Sequence, residues 1–381
     1  MSAQAVAGAR IADLLRPDLK GREPYGAPQL DVPVRLNTNE NSYAVPPAVA
    51  DEIVAAVAEI APTLNRYPDR EFTALRTELA AYLVSGSGVQ VRPEQVWAAN
   101  GSNEVLQHIV QAYGGHGRMA LGFTPAYSMH PIIVRTIGMD WLDGMRGVPG
   151  GGAYDLSAEV ATAQVAAVRP AVVFLCSPNN PTGTALTLEV VEAVYDAAAD
   201  AVVVVDEAYA EFARPGTPSA LTLLDGRERL VVTRTMSKAF ALAGGRLGYL
   251  AADPALIEGL RLVRLPYHLA TPTQAVARAA LRHADALLAT VETIKSQRDR
   301  IVAELTTMGL DPVPSDANFV LFGGLADERA TWKALLDEGV LVRDVGLPRH
   351  LRVTAGTPEE TGAFLEALRG LLPAHRDGGS P

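Results

Sequence analysis

Lys238 stands in VVTRTMSKAFALAGGRLGYL, behind an apolar run from Leu230 to Val232 and beside hydroxyls at Thr235 and Ser237. Small residues and glycines follow, then Arg246. A lysine amine can bond to a carbonyl carbon or carry a proton. Hydroxyls combined with an arginine fork suit a phosphate. Two upstream blocks have the same build. SPNNPTG (Ser177 to Gly183) follows a strand-like run, and VVVVDEAY (Val202 to Tyr209) contains one. Asp206 closes its run, where a carboxylate can be held in low dielectric against a cation. Tyr209 lies close enough behind it to share a site. Asn180 sits in a turn after a buried strand, the end of a strand at which α/β sheets bind ligands. Gly101-Ser102-Asn103-Glu104 opens a stretch with helical apolar spacing (Val105, Leu106, Ile109, Val110). A helix start of this kind offers free N–H groups to an anion. Tyr127, in FTPAYSMH, is an aromatic that can stack on a ring.

Taken singly, each residue has a plainer reading. Asp206 and Ser102 are ordinary helix N-caps, Tyr127 and Tyr209 ordinary packing, Lys238 a solvated lysine and NNPTG a common turn. Together they meet the needs of pyridoxal 5'-phosphate (PLP). That cofactor requires a lysine to hold it, an acid to keep its ring nitrogen protonated, donors to its ring hydroxyl, and phosphate anchors.

Elements must bring these residues together. Strand-like runs occur at Gln95–Ala99, Met119–Gly122, Ala171–Cys176, Ala201–Val205, Leu230–Thr233 and Leu247–Ala251. Helical patterns separate most of them, which predicts an α/β fold with a mostly parallel sheet covered on both faces. Ala48–Ile60 and Phe72–Val84 have helical spacing, Thr271–His283 reads as a helix, and Ala286–Met308 as one long helix. Further strands are expected at Asn318–Phe322, Val340–Arg343 and Leu351–Thr354. Thr357-Pro358-Glu359-Glu360 reads as a capping box that starts a helix. The expected domains are an arm with part of a small domain over 1–47, a large domain over 48–270 and a small domain over 271–381. Gly150-Gly151-Gly152 reads as a flexible turn and the tail HRDGGSP as disordered.

The 381 residues are 48% hydrophobic, enough for a large core in two domains. The net charge of −10 speaks against nucleic acid as a partner. Cys176 is the sole cysteine, so no internal disulfide forms. The histidines lack metal-type spacing, and no metal is expected. No secretory pattern opens the chain and no run is long enough to span a bilayer, so a cytoplasmic setting is expected.

In order along the chain stand PYGAPQ (24–29), RLNTNEN (35–41), LNRYPD (64–69), AANGSNE (98–104), SPNNPTG, DEAYAEF (206–212), TRTMSKAFALAGGRLGY (233–249), SDANFVLF (315–322), VLVRD (340–344) and LRVTAGT (351–357). With these motifs the chain resembles the fold-type I PLP-dependent aminotransferases and, among them, the histidinol-phosphate aminotransferases. The resemblance implies a large domain with a mostly parallel seven-stranded sheet, plus a smaller α/β domain. It implies Lys238 as the Schiff-base lysine and proton shuttle, Asp206 at the pyridinium nitrogen, and Asn180 and Tyr209 at the ring hydroxyl. Ser102, Asn103, Thr235, Ser237 and Arg246 would hold the phosphate, Tyr127 would stack on the ring, and Tyr67 would reach that phosphate from the partner of a homodimer. Arg352 would bind the α-carboxylate of glutamate, Arg343 the substrate phosphate, and Tyr25 would close over the substrate. Asn41 is carried with the substrate residues. The implied substrates are L-histidinol phosphate and 2-oxoglutarate. An aromatic-amino-acid aminotransferase is the alternative, with nearly the same motifs. The chain departs from the pattern at Ser42-Tyr43, where proline often follows Asn-Glu-Asn, and in a short segment between Arg343 and Arg352. A non-catalytic regulator of the same fold would lack the lysine and add a basic module.

Overall fold

The structure is a computed structural model that describes residues 11, 13–147, 152 and 154–376. Gly150 and Gly151 of the expected turn and Asp377 to Pro381 of the expected tail lie outside these. After a short 3-10 turn (Pro17–Leu19) come a short strand, β1 (Val34–Arg35), and two helices, α1 (Pro47–Ile60) and α2 (Thr73–Ser87). Pro47 fits the first turn of α1 because the missing N–H has no helical partner there. Gly88 ends α2 in the left-handed region at φ 70°, which glycine adopts without strain.

Alternation then begins. β2 (Val96–Ala99), α3 (Ser102–Tyr113), β3 (Met119–Thr124), α4 (Met129–Thr136), β4 (Asp140–Met145), α5 (Ala158–Val168), β5 (Val172–Cys176), α6 (Leu188–Ala197) and β6 (Val202–Asp206) follow one another. β7 (Leu230–Thr235), β8 (Gly248–Ala252) and α7 (Pro254–Val263) complete this part. The seven strands form one sheet in the order β2-β8-β7-β6-β5-β3-β4. β8 runs antiparallel to both its neighbours, and the other pairings are parallel. β5, β6, β7 and β8 are buried along their whole length, as continuous Val and Leu runs require under helices on both faces. Within this sheet, β4 is the strand that the sequence reading lacks; the two-residue strands β1 and β9 (Asp311–Pro312) are absent from it as well. β4 lies at the sheet edge and is largely exposed, so it carries no apolar run to betray it.

The chain continues through α8 (Thr271–Arg282), α9 (Ala284–Leu288) and α10 (Val291–Thr307). The single long helix expected over Ala286–Met308 is therefore broken before Val291. At the break, the Thr290 hydroxyl accepts a hydrogen bond from Asn41 Nδ2 at 3.1 Å. β9 (Asp311–Pro312), β10 (Phe319–Gly323), α11 (Glu328–Asp337), β11 (Val340–Leu341), β12 (Arg343–Asp344), β13 (Leu351–Thr354) and α12 (Pro358–Arg376) follow. The run expected over Val340–Arg343 divides. β11 pairs in parallel with β1, while β12 joins a four-stranded sheet ordered β12-β13-β10-β9. α12 starts with the expected capping box: Glu360 N–H donates to Thr357 Oγ1 (3.2 Å) and Thr357 N–H to Glu360 Oε2 (2.9 Å).

Two apolar clusters form the interior. One packs the seven-stranded sheet against its helices and takes Ala277 and Ala280 of α8. The other gathers Leu36, Tyr209, Phe212, Ile294, Ile301, Phe319, Phe322, Val353 and Phe364. Arg298 of α10, 1% exposed, ties that helix to the segment after β6 by donating to the Phe212 carbonyl at 2.9 Å.

Beneath β2, Trp97 donates to His108 Nδ1 (3.2 Å) and stacks on His268 at 5.4 Å. The His268 Nε2 faces the Ala98 carbonyl at 2.9 Å, and a carbonyl only accepts, so that nitrogen carries the ring proton. Burial holds His108 down to about 4, and lowers His268 as well. Both rings are thus neutral when folded, while an unfolded histidine takes up a proton near pH 6.5. Stability is complete above that pH and is lost as pH falls from 6.5 towards 4, by on the order of 3 kcal/mol for His108. Thermal melts across this window should show a shallower pH dependence in His108→Gln than in the wild type.

Candidate active site

A cavity of about 690 Å³ opens where the C-terminal ends of β5, β6 and β7 meet β12 and β13. Lys238, Asp206, Tyr209, Asn180, Ser102, Asn103, Tyr127, Thr235, Ser237, Arg246, Tyr25, Arg343 and Arg352 all line it. Residues far apart in sequence converge here because the strand ends of a parallel sheet open onto one edge.

Asp206 is 1% exposed at the last position of β6. Its Oδ1 accepts from Thr233 Oγ1 (3.0 Å), one strand over on β7, and its Oδ2 meets His130 Nε2 at 3.0 Å. Two bonds leave lone pairs on the carboxylate for a further cation. His130 was not foreseen. It follows Tyr127 by three positions in a helix start, the spacing that puts two side chains on one face. Its ring stacks on Phe174 at 4.8 Å and meets Tyr127 edge-on at 5.4 Å.

Lys238 Nζ donates to the Thr38 carbonyl at 2.9 Å. Burial, reinforced by the Arg352 charge, holds this amine down to about 8, while Glu40 pulls the other way. An appreciable fraction of the amine is therefore neutral near physiological pH, as a nucleophile or proton carrier requires.

Asn180 accepts from Arg352 Nη1 at 2.6 Å and directs its Nδ2 towards Tyr209 Oη at 3.4 Å. Asn39 Nδ2 reaches the same phenol oxygen at 2.9 Å. Burial pushes the Tyr209 and Tyr127 phenols upward, so both remain protonated donors at neutral pH. Tyr127 Oη lies 3.4 Å from Asn103 Oδ1. Cys176 also borders the cavity, with a thiol pushed up by burial and thus unreactive.

One end of the cavity is built for an anion. The first turn of α3 presents Ser102 and Asn103. Thr235 Oγ1 meets Ser237 Oγ at 3.0 Å, and Arg246 Nη1 reaches that Oγ at 3.4 Å. Glycines make this approach possible. A Cβ on Gly248 would overlap the Ser102 backbone nitrogen, and one on Gly101 would overlap the Arg246 guanidinium.

At the other end, Arg343 and Arg352 stand directly opposite each other in the β12–β13 ladder. Opposite positions share a face, and like charges there repel. Arg352 also donates to the Asn37 carbonyl (2.8 Å), and its Nε is buried without a partner. The Arg343 guanidinium lies 5.8 Å from the Tyr25 ring centre. The neighbouring Asp344 carboxylate accepts from Gly346 N–H at 2.8 Å. Among the described residues neither arginine pairs with a carboxylate, so the two charges are available to anions.

Two candidates lie elsewhere. Asn41 is a correction: it does not line the cavity. Its amide donates to the Ala239 carbonyl (3.3 Å) and Thr290 Oγ1 (3.1 Å), and its Oδ1 accepts from Tyr43 N–H. A backbone φ of 56° at Asn39 ends the extended run and turns Asn41 away, so Asn39 faces the cavity instead. Tyr67 is 79% exposed and stacks on Tyr267 at 4.4 Å, outside its own chain's cavity. Among the described residues no group of side chains could hold a metal ion.

The cavity fits PLP by its own features. A lysine amine, a buried carboxylate with free lone pairs and a glycine-cradled anion site lie around one space, with an unpartnered arginine nitrogen beyond.

Comparison with known proteins agrees. The model of the aminotransferase class I and II family matches residues 32–368. A histidinol-phosphate aminotransferase of Paenarthrobacter aurescens is 60% identical, covering 96% of this chain and 96% of that protein. One of Frankia casuarinae is 61% identical, covering 93% and 89%. In fold, the chain is similar to the histidinol-phosphate aminotransferase of Sinorhizobium meliloti, solved in complex with PLP, with a TM-score of 0.82 and 24% identity over 95% of this chain and 98% of that one. A catalytic-type lysine, a carboxylate at a strand end and paired arginines in one cavity, on a chain matched over nearly its whole length, place this protein in the class I and II aminotransferase family.

Proposed function

We propose that this chain is a PLP-dependent transaminase. It exchanges an amino group between L-histidinol phosphate and 2-oxoglutarate, giving imidazole-acetol phosphate and L-glutamate, a step of histidine biosynthesis. The observation that carries the substrate choice is the Arg343–Arg352 pair, held opposite each other and facing the same cavity as Lys238 and Asp206. One substrate brings a phosphate and the other a carboxylate, and guanidinium forks suit both.

PLP, when bound, supplies a carbonyl to take up the substrate amine and a protonated ring that withdraws electrons from Cα. The chain's residues do the rest. Lys238 attaches the cofactor and, once released, carries the proton to and from Cα; its lowered pKa supports that role. Asp206, oriented by Thr233 and His130, keeps the ring nitrogen protonated. Tyr209 and Asn180 address the ring hydroxyl, and Tyr127 stacks on the ring. Ser102, Asn103, Thr235, Ser237 and Arg246 hold the cofactor phosphate. Arg352 takes the carboxylate of glutamate, Arg343 the phosphate of histidinol phosphate, and Tyr25 closes over the substrate.

The reading includes a homodimer in the cytoplasm. The exposed Tyr67 on the Tyr67–Tyr267 stack supports reach into a partner's site. Among the described residues no helix is long and apolar enough to cross a membrane. The domain division over 1–47, 48–270 and 271–381 belongs to the same reading; the two apolar clusters support a large and a small domain, with Ala277 and Ala280 of α8 packed in the large one.

Lys238→Ala should lower turnover by at least about 1,000-fold; turnover at the wild-type rate would overturn the mechanism. Mixed with L-histidinol phosphate and no keto acid, the PLP-loaded enzyme should change its cofactor spectrum much faster than with phenylalanine. The opposite order would favour the aromatic alternative. Arg343→Ala should cut kcat/KM for histidinol phosphate about 100-fold, as expected for a lost charge-assisted contact, and leave phenylalanine within a few-fold.

A further inference from the structure

Asn39 is 1% exposed and held on every side. Its N–H donates to Thr354 Oγ1 (3.1 Å), and that hydroxyl lies 3.2 Å from Asn39 Oδ1. The Asn39 carbonyl accepts from Asn318 Nδ2 at 3.1 Å. A threonine oxygen that accepts from the backbone N–H keeps its own proton for Asn39 Oδ1. The amide's NH2 group therefore points the other way, at Tyr209 Oη, 2.9 Å off.

Asn180 is oriented by the same logic. A guanidinium can only donate, so the atom facing Arg352 at 2.6 Å must be the Asn180 oxygen. Its NH2 then faces Tyr209 Oη at 3.4 Å. A phenol oxygen has two lone pairs, and two amides address them. The phenolic proton is left to point in a third direction, and Tyr209 borders the cavity.

We propose that Asn39 is a positioning residue: with Asn180 it donates to the Tyr209 oxygen and so aims the phenolic proton into the cavity, at the ring hydroxyl oxygen of the bound cofactor. The inference rests on the reading of the cavity as a PLP site. Donors on the phenol oxygen also make its own proton a better donor, because linked hydrogen bonds polarise one another. The negative form of the cofactor's ring oxygen is thereby stabilised. Asn39 acts only through Tyr209.

The backbone selects the variant. Asn39 has φ 56°, a region glycine enters freely. Asn39→Gly removes the amide but keeps the backbone bonds to Thr354 and Asn318. Asn39→Asp keeps the size but replaces the donor with an acceptor, which draws the phenolic proton away from the cavity. The test is a spectrophotometric pH titration of the cofactor bound to the holoenzyme, in the wild-type and Tyr209→Phe backgrounds. Loss of one supporting hydrogen bond should raise the spectral midpoint by about 0.5 to 1 pH unit in Asn39→Gly, and by more in Asn39→Asp. The Asn39→Gly shift should vanish in the Tyr209→Phe background, and the Asn39→Asp shift should shrink there to the part that its added charge produces alone. An unchanged midpoint in both single variants would overturn the proposal, as would an equal shift with and without the Tyr209 hydroxyl. If the purified protein takes up no PLP, the reading of the cavity fails rather than the role of Asn39.

Discussion

The guanidinium of Arg352 is the junction at which the parts of this chain meet. It projects from β13 of the small sheet, donates to Asn180 beyond the end of β5, and donates to the Asn37 carbonyl near the start of the chain. A buried arginine has a high desolvation cost, and strong directional acceptors must offset it. The two acceptors come from separate regions of sequence, and the arginine itself from a third. The cavity therefore exists only when the large sheet, the small sheet and the segment after β1 are docked together. Arg352 also borders the cavity, where an anionic ligand can approach the guanidinium, while its Nε is buried without a protein partner.

The same logic governs the rest of the site. Positive groups outnumber carboxylates around the cavity although the whole chain is acidic. Lys238 is neighboured by Arg352 and Arg246, which favours its neutral form. Anionic substrates offset that repulsion when they bind, so substrate charge and lysine chemistry are coupled through one field. The fixed donors around Asp206 and Tyr209 leave little reorganisation for the reaction itself, the general advantage of a preorganised site.

Much of this was legible in the sequence. Continuous Val and Leu runs mark β5, β6 and the first half of β7, since apolar residues on both faces leave no alternation to blur them; the polar end of β7, Arg234–Thr235, extends past the expected run. The Thr357–Glu360 capping box was readable because its chemistry is local. What escaped depends on the third dimension. β4 is an exposed edge strand, and the break before α10 coincides with a hydrogen bond between Thr290 and an asparagine distant in sequence. The three asparagines at 37, 39 and 41 alternate as an extended chain would, so nothing local says which faces the cavity. The left-handed turn at Asn39 decides it, and that turn is fixed by Thr354 and Asn318, far along the chain. His130 pairs with Asp206 across the fold, a contact that no periodicity announces.

The exposed strand β4 has one further consequence. An open sheet edge offers unpaired N–H and C=O groups to any passing strand, and the adjoining β3 and β5 are as apolar as those of an aggregating segment. β4 presents Asp140 and Asp143 along that border, with Trp141 Nε1 bonded to Asp143 Oδ1 at 2.7 Å. A second sheet edge docking there would have to bury carboxylates without cations. The strand least visible to pattern reading thus closes the sheet with two carboxylates, which disfavour edge-to-edge pairing with another strand.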